Sequence, residues 1–273
     1  MIAASTQDHL IGITTTEADV AKGKVAAQLY TIREYVRTTA DVAASMKKIA
    51  DIGYTAVQVS SFGSVDPKDV AAIMEDNGLA VVSTHTGWGR FVGDLDAVIE
   101  EHLLWRCPHP AIGGLPAEYY TLDGLRRFLD ELGPIVEKLG AVGMDFSYHN
   151  HNHELARHGG KSWLATLYDT ADADLLKAEI DTYWIQAGGG DPAYWIRRCA
   201  GREPLLHLKD MMITPGREVR MAEVGEGNLN WPAIFEAAEA GGVEWYLVEQ
   251  DHCYERTPFE SLEISFRNLS CLG

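Results

Sequence analysis

The chain has 273 residues, 46% of them hydrophobic, and a formal net charge of −17. That length suits one α/β barrel of about 250 residues, and the apolar share is enough for a large core. The acidic balance argues against nucleic acid or an anionic membrane as partner, and against a strongly anionic substrate unless a basic pocket or metal ion compensates.

Cys107, Cys199, Cys253 and Cys271 have no C-x-x-C spacing and read as reduced packing residues of a cytoplasmic protein. No run approaches the roughly 18 apolar residues of a membrane span. Residues 1–23 lack the basic and continuous apolar regions of a signal peptide. They are expected to form an extension, capping one end of a single domain over residues 24–273.

From Lys24 onward a unit recurs: a short apolar strand, a polar loop and an amphipathic helix. The first strand covers residues 25–30. Val42, Met46, Ile49 and Ala50 then recur at helical spacing, with Asp41 as N-cap and Gly53 as stop. A second strand covers 56–60; Pro67 opens the next helix, Gly78 closes it, and a third strand covers 79–85. The fourth unit is weakly marked, because Pro108 and Pro110 fall within residues 103–112. Residues 121–139 predict a helix that Pro134 should kink or divide. Residues 143–146 read as a strand leading into Ser147-Tyr148-His149-Asn150-His151-Asn152-His153-Glu154. Were that strand to continue, His149, His151 and His153 would share a face. Next come a helix around 163–167, a sixth strand over 177–181 and a helix opened by Asp191-Pro192. A seventh strand over 205–209, a helix from near Pro232, an eighth strand over 245–249 and a closing helix over 259–269 complete the chain. Eight alternations argue for an α/β fold of the (β/α)8 TIM barrel type. The rival doubly wound sheet would need a glycine-rich turn after the first strand, where none stands.

In such a barrel the chemistry sits where strands end. Those ends read Gln28 and Tyr30, Gln58, His85, His149 with His151, Asp181, His207 and Glu249. Asp181, His207 and Glu249 each follow an apolar run on consecutive strands, and His149 adds a fourth donor. Two imidazoles and two carboxylates at one mouth suit one divalent metal ion such as Mn, Co, Mg or Zn. Singly, each would read as a loop cap or salt-bridge partner.

Six segments carry a family likeness: Gln28-Leu29-Tyr30-Thr31-Ile32-Arg33, Tyr148-His149-Asn150-His151, Ile180-Asp181-Thr182-Tyr183-Trp184, Leu206-His207-Leu208-Lys209-Asp210, Val224-Gly225-Glu226-Gly227-Asn228-Leu229-Asn230-Trp231 and Val248-Glu249-Gln250-Asp251. On them the chain resembles the sugar phosphate isomerase/epimerase family, with its xylose isomerase-like TIM barrel, over about residues 24–269. The resemblance implies one divalent metal held by His149, Asp181, His207 and Glu249. Many ketose epimerases of this group carry a glutamate, which also moves a proton, where this chain has His149. The histidine is shared with the branch resembling inosose dehydratases, so a two-glutamate proton shuttle is not carried over.

Such a site chelates a ketone and its neighbouring hydroxyl and stabilises the enediolate formed as the α-proton leaves. His151, Glu154 and Glu249 are the candidate bases. Lys209 is expected either to ion-pair with substrate or to neutralise Asp210, and Asp210 to orient His207. Arg33 and His85 are candidates for hydrogen bonds to substrate hydroxyls, or alternatively structural caps. Trp88 and Trp184 could wall a sugar ring, although large aromatics more often belong to the core. The glycines of Gly225-Glu226-Gly227 suggest a tight turn, not a phosphate cradle. The expected activity is isomerisation or epimerisation of a keto-sugar or cyclic polyol ketone. The alternative is a lyase or dehydratase acting on a 3-keto-sugar, 3-keto-glycoside or inosose. A sugar-binding barrel without turnover has no need of the Asp181, His207 and Glu249 set, and a DNA-repair nuclease on a related barrel is disfavoured by the charge. The implied partner is a small-molecule sugar or polyol, and a homo-oligomer is compatible with the composition.

Overall fold

The computed structural model describes residues 24–272; the expected extension over residues 1–23 lies outside the described residues. Eight parallel strands close on themselves: β1 (Val25–Gln28), β2 (Ala56–Ser60), β3 (Ala80–His85), β4 (His109–Ile112), β5 (Ser147–His149), β6 (Lys177–Asp181), β7 (Leu205–Leu208) and β8 (Trp245–Val248). Each pairs with its sequence neighbours, and β1 pairs with β8 to complete the barrel. The α/β barrel expected from the recurring unit is therefore the fold.

Around it lie α1 (Thr39–Ile52), α2 (Pro67–Asp76), α3 (Trp88–Gly93), α4 (Leu95–Trp105), α5 (Leu122–Gly140), α6 (Trp163–Thr170), α7 (Thr182–Ala187), α8 (Pro192–Arg198), α9 (Trp231–Gly241) and α10 (Pro258–Leu272). Strand residues facing outward, such as Tyr148, Ala178, Ile180, Leu206, Leu208 and Val248, are buried beneath these helices in the main core. Inside the barrel a small apolar cluster of Ala26, Ala56, Val82, Leu205 and Leu247 fills the floor. Strand periodicity then places Gln28, Gln58, His207 and Glu249 two residues further along, on the same inward face. The floor is apolar and the mouth polar for that reason.

Several boundaries differ from expectation. The first strand stops at Gln28 because its side chain accepts from the Tyr30 N–H and starts a 3-10 helix over Leu29–Tyr35. Thr38, not Asp41, caps α1; Asp41 answers as the third residue of a capping box. β4 contains Pro110, and the pairing with β3 is carried through Ala111 and the Thr86 N–H. α5 runs through Pro134 as one element, since Phe128, Leu132, Ile135 and Leu139 are buried on both sides of it. Residues 143–146 are not strand: Gly143, at φ +79°, closes the turn after α5. The chain leaves β5 at Asn150, and a 3-10 turn over His153–Leu155 separates His151 and His153 from the strand face.

Two hairpins are insertions at strand ends. One pairs Arg157–His158 with Lys161–Ser162 after β5; the other pairs Asp210–Ile213 with Val219–Ala222 after β7.

Candidate active site

The barrel register sets Asp181 beside His207, and His149 ends the next strand over. Asp181 is fixed because one carboxylate oxygen caps α7, accepting from the Trp184 N–H at 2.8 Å, while its backbone N–H donates to Asn150. Its other oxygen faces His149 Nε2 at 3.2 Å. The Thr182 hydroxyl donates to the carbonyls of His207 and Lys209, clamping the end of β7. Glu249 meets His207 Nδ1 at 3.1 Å, and the next backbone N–H, that of Gln250, donates to the Thr31 hydroxyl.

His149, Asp181, His207 and Glu249 are all buried, and one donor atom from each lies within 4.8 Å of the others. The set also suits a divalent ion chemically. Burial and the neighbouring imidazoles of His207, His85 and His151 hold the His149 pKa well down, so it is a neutral donor, and its Nδ1 is buried without a partner. Burial would lower His207 too, but Glu179 and Glu249 raise it to about 10. Without a metal, protonated His207 and the Lys209 ammonium supply the cationic charge that Asp181 and Glu249 face. Lys209 Nζ is 2.7 Å from Glu249, 2.9 Å from Asp251 and 3.2 Å from Asp181. Those carboxylates hold its pKa above the ordinary value despite complete burial.

Beneath this layer is a residue that the reading of strand ends passed over. Glu179 precedes Asp181 by two positions and points into the same lumen. One of its oxygens accepts from Gln58 Nε2 at 2.6 Å and lies 3.2 Å from His207 Nε2; the other lies 2.8 Å from His85 Nε2. Burial opposes its ionisation, but the His85 and His207 rings outweigh that and depress its pKa. A glutamate in a strand otherwise buried on both faces was the available signal.

The mouth opens into a cavity of about 520 Å³ whose wall includes Tyr30, His85, His149, His151, Trp184 and Glu249. His85 and Trp184 thus stand where substrate contact was expected, and Gly113 lies so close to His85 that an added Cβ would sit 2.9 Å from its Nδ1. His151 packs against Trp184, and burial with the nearby Lys209 charge lowers its pKa to about 4. Other residues are placed differently from expectation. Glu154 faces inward, accepting from the Tyr148 hydroxyl and the His151 N–H, and tethers the loop instead of lining the cavity. Arg33 donates to the carbonyls of Tyr30 and Asp251 and lines a neighbouring depression. Trp88 belongs to the core, against Phe91, Phe128 and Phe146. Lys209 does not neutralise Asp210, and Asp210 does not orient His207. Asp210 is turned into its own loop, where it accepts from the N–H groups of Gly225 and Gly227 and from Trp231 Nε1.

An eight-stranded parallel barrel with two imidazoles and two carboxylates at the C-terminal rim defines a class of barrel suited to divalent-metal chemistry. Residues 46–264 match the family described as the Xylose isomerase-like TIM barrel, and the chain belongs to it. No curated protein matches the sequence. Among solved structures, a sugar phosphate isomerase/epimerase from Parabacteroides distasonis ATCC 8503 superposes with a TM-score of 0.78 at 24% identity, covering 92% of this chain and 95% of that one. An L-ribulose 3-epimerase gives 0.69 at 18% identity, over 91% and 94% of the two chains. A probable 3-DHS dehydratase from Bacillus anthracis gives 0.67 at 11% identity, over 90% and 98%. At these identities the likeness is one of fold. No helix among the described residues is long and apolar enough to cross a membrane.

Proposed function

We propose that the protein is a divalent-metal-dependent isomerase or epimerase of a keto-sugar or cyclic polyol ketone. The supporting observation is the convergence of His149, Asp181, His207 and Glu249, of which His149 and Glu249 also line the cavity together with His151. A dication held by those four would supply Lewis acidity, stabilising the negative charge that grows on the ketone oxygen as the α-proton departs. The protein's own groups supply the rest. Trp184 and Tyr30 wall the substrate together with the ring of His85, whose two nitrogens are engaged by Gln28 and Glu179. Glu249 is the carboxylate placed to hold the α-proton. His151 lines the cavity and is held neutral, its pKa lowered to about 4 by burial and the Lys209 charge, so a proton that its ring takes is readily returned. Return to the adjoining carbon gives the isomer, and return to the opposite face gives the epimer.

One observation favours a second outcome from the same first step. The fifth-strand donor is the neutral imidazole of His149, where a carboxylate could have served as a second base. With a single carboxylate base, the proton it takes from carbon can leave with an expelled β-hydroxyl or β-glycosyl oxygen, and the protein is then a lyase. The test is incubation of the manganese- or cobalt-loaded protein with ketohexoses, 3-keto-glucosides and inososes in deuterated water, read by proton NMR. Isomer, epimer and eliminated product are distinguished directly. Full turnover after metal stripping, or exchange retained by Glu249→Gln, would contradict the mechanism.

A further inference from the structure

Taking the metal-dependent ketone reading as its basis, we infer that this mouth is built for an electrically neutral ketone and discriminates against the phosphate esters of that ketone. Among the described residues that line the cavity, Lys209 is the one with a fixed positive charge. Its ammonium is committed: three carboxylates surround it within 3.2 Å, and the side chain is 1% exposed. Arg33, the basic residue that follows the first strand, spends its guanidinium on two backbone carbonyls and faces another depression. Loading a dication in exchange for the His207 proton still leaves one carboxylate in excess. Asp181 and Glu249 would offset its two charges, Lys209 would then be matched by Asp251, and the Glu179 carboxylate would remain beneath. A phosphate carries about −1.5 to −2 charge at neutral pH. It would enter a low-dielectric cleft with no uncommitted cation, against a chain of formal charge −17.

What the wall does offer suits hydroxyl groups. Gln28 and Thr86 lie along it, beside the ring of Trp184. Ser60, Ser61 and Tyr30 add uncharged donors and acceptors around the rim. A polyol satisfies these groups without bringing charge.

The test uses the full chain loaded with Mn²⁺ and titrated calorimetrically with ketohexoses, 3-keto-glucosides and inososes, each beside its monophosphate. The expected result is that at least one neutral ketone binds and its phosphate ester binds about tenfold or more weakly. Asp251→Asn frees one of the three counter-charges on Lys209 and should narrow that gap severalfold. Equal or tighter binding of the phosphate ester by the unaltered protein would overturn the inference while leaving the ketone reading in place. Binding of neither form would overturn both. The unaltered protein decides the matter even if Asp251→Asn does not fold.

Discussion

Glu179 illustrates how much a single buried side chain can determine. Its carboxylate ties together His85, Gln58 and His207, with no solvent exposure. Together with Gln58 Oε1, 2.9 Å from His207 Nε2, it accepts from that nitrogen and leaves Nδ1 of the ring to face Asp181 and Glu249 and be presented to a cation. Glu179→Ala is therefore expected to weaken Mn²⁺ or Co²⁺ binding roughly 10- to 100-fold. Competition against a chromophoric chelator measures it, and Glu179→Gln, which keeps an acceptor, should recover part of the loss. Lys209 makes a different demand. Replacing it with Met leaves Asp251 without a cation and Asp181 and Glu249 with His207 alone, and should cost the metal-free protein about 3–5 kcal/mol in urea denaturation. Added divalent metal should restore much of that stability. Three of the four rim donors were legible in the sequence because each follows an apolar run, and His149 because it opens a cluster of histidines. Glu179 was not, since it stands inside such a run, and for Arg33 and Trp88 the choice of the cap and core readings needed the backbone carbonyls and core rings that only the folded chain brings near.

The loop after β7 shows what an element-level motif does when folded. Its glycines do not cradle a ligand. They wrap the Asp210 carboxylate, which accepts from the N–H groups of Met211, Gly225, Gly227 and Leu229 and from the Trp231 indole. Gly225 takes φ +87°, and a Cβ at Gly227 would lie 2.3 Å from the Asp210 oxygen. Asp210→Ala leaves these donors unmatched and should cost on the order of 3 kcal/mol. Limited proteolysis across residues 223–231 should accelerate in parallel, and an unchanged cleavage rate would show that the loop is held by something else. Gly227→Ala should behave similarly. The recurring strand–helix unit was readable here as elsewhere in the chain, because hydrophobic periodicity reports which face is buried. The hairpin of Asp210–Ile213 with Val219–Ala222 was not, since strand pairing outside the barrel depends on contacts that periodicity does not encode. α3 and α7 are too short, at six residues each, to show a helical repeat.

For the molecule as a whole, the groups buried at the barrel base set how stability varies with pH. Burial lowers the His109 pKa, but the hydrogen bond and charge of Asp145, 2.9 Å away, outweigh that and raise it above 6.5. Its stabilising contribution is thus fully present below about pH 6.5 and lost as pH climbs through the raised value. Glu203 acts in the same sense from a different cause. Complete burial pushes its carboxyl well above 4.5, one oxygen accepts from the Ile180 N–H, and the other has no partner. The folded chain holds that proton more tightly than the unfolded one, so stability declines as pH rises from about 4.5 towards the raised value. Asp169 runs the other way. Lys161 and Arg198 depress its pKa, and its contribution, present above 3.8, disappears on acidification. An acidic chain adds self-repulsion as its histidines lose their protons. His102, His149 and His151, whose pKa values burial lowers, oppose that fall below about pH 6.5, so the decline belongs to the neutral and alkaline side. Urea denaturation at pH 7, 8 and 9 tests it. The unaltered protein should lose stability across that series, whereas Glu203→Gln and His109→Gln, each lacking one of the protons that the fold retains, should each flatten the decline. A slope that neither substitution changes would place its origin outside the barrel base.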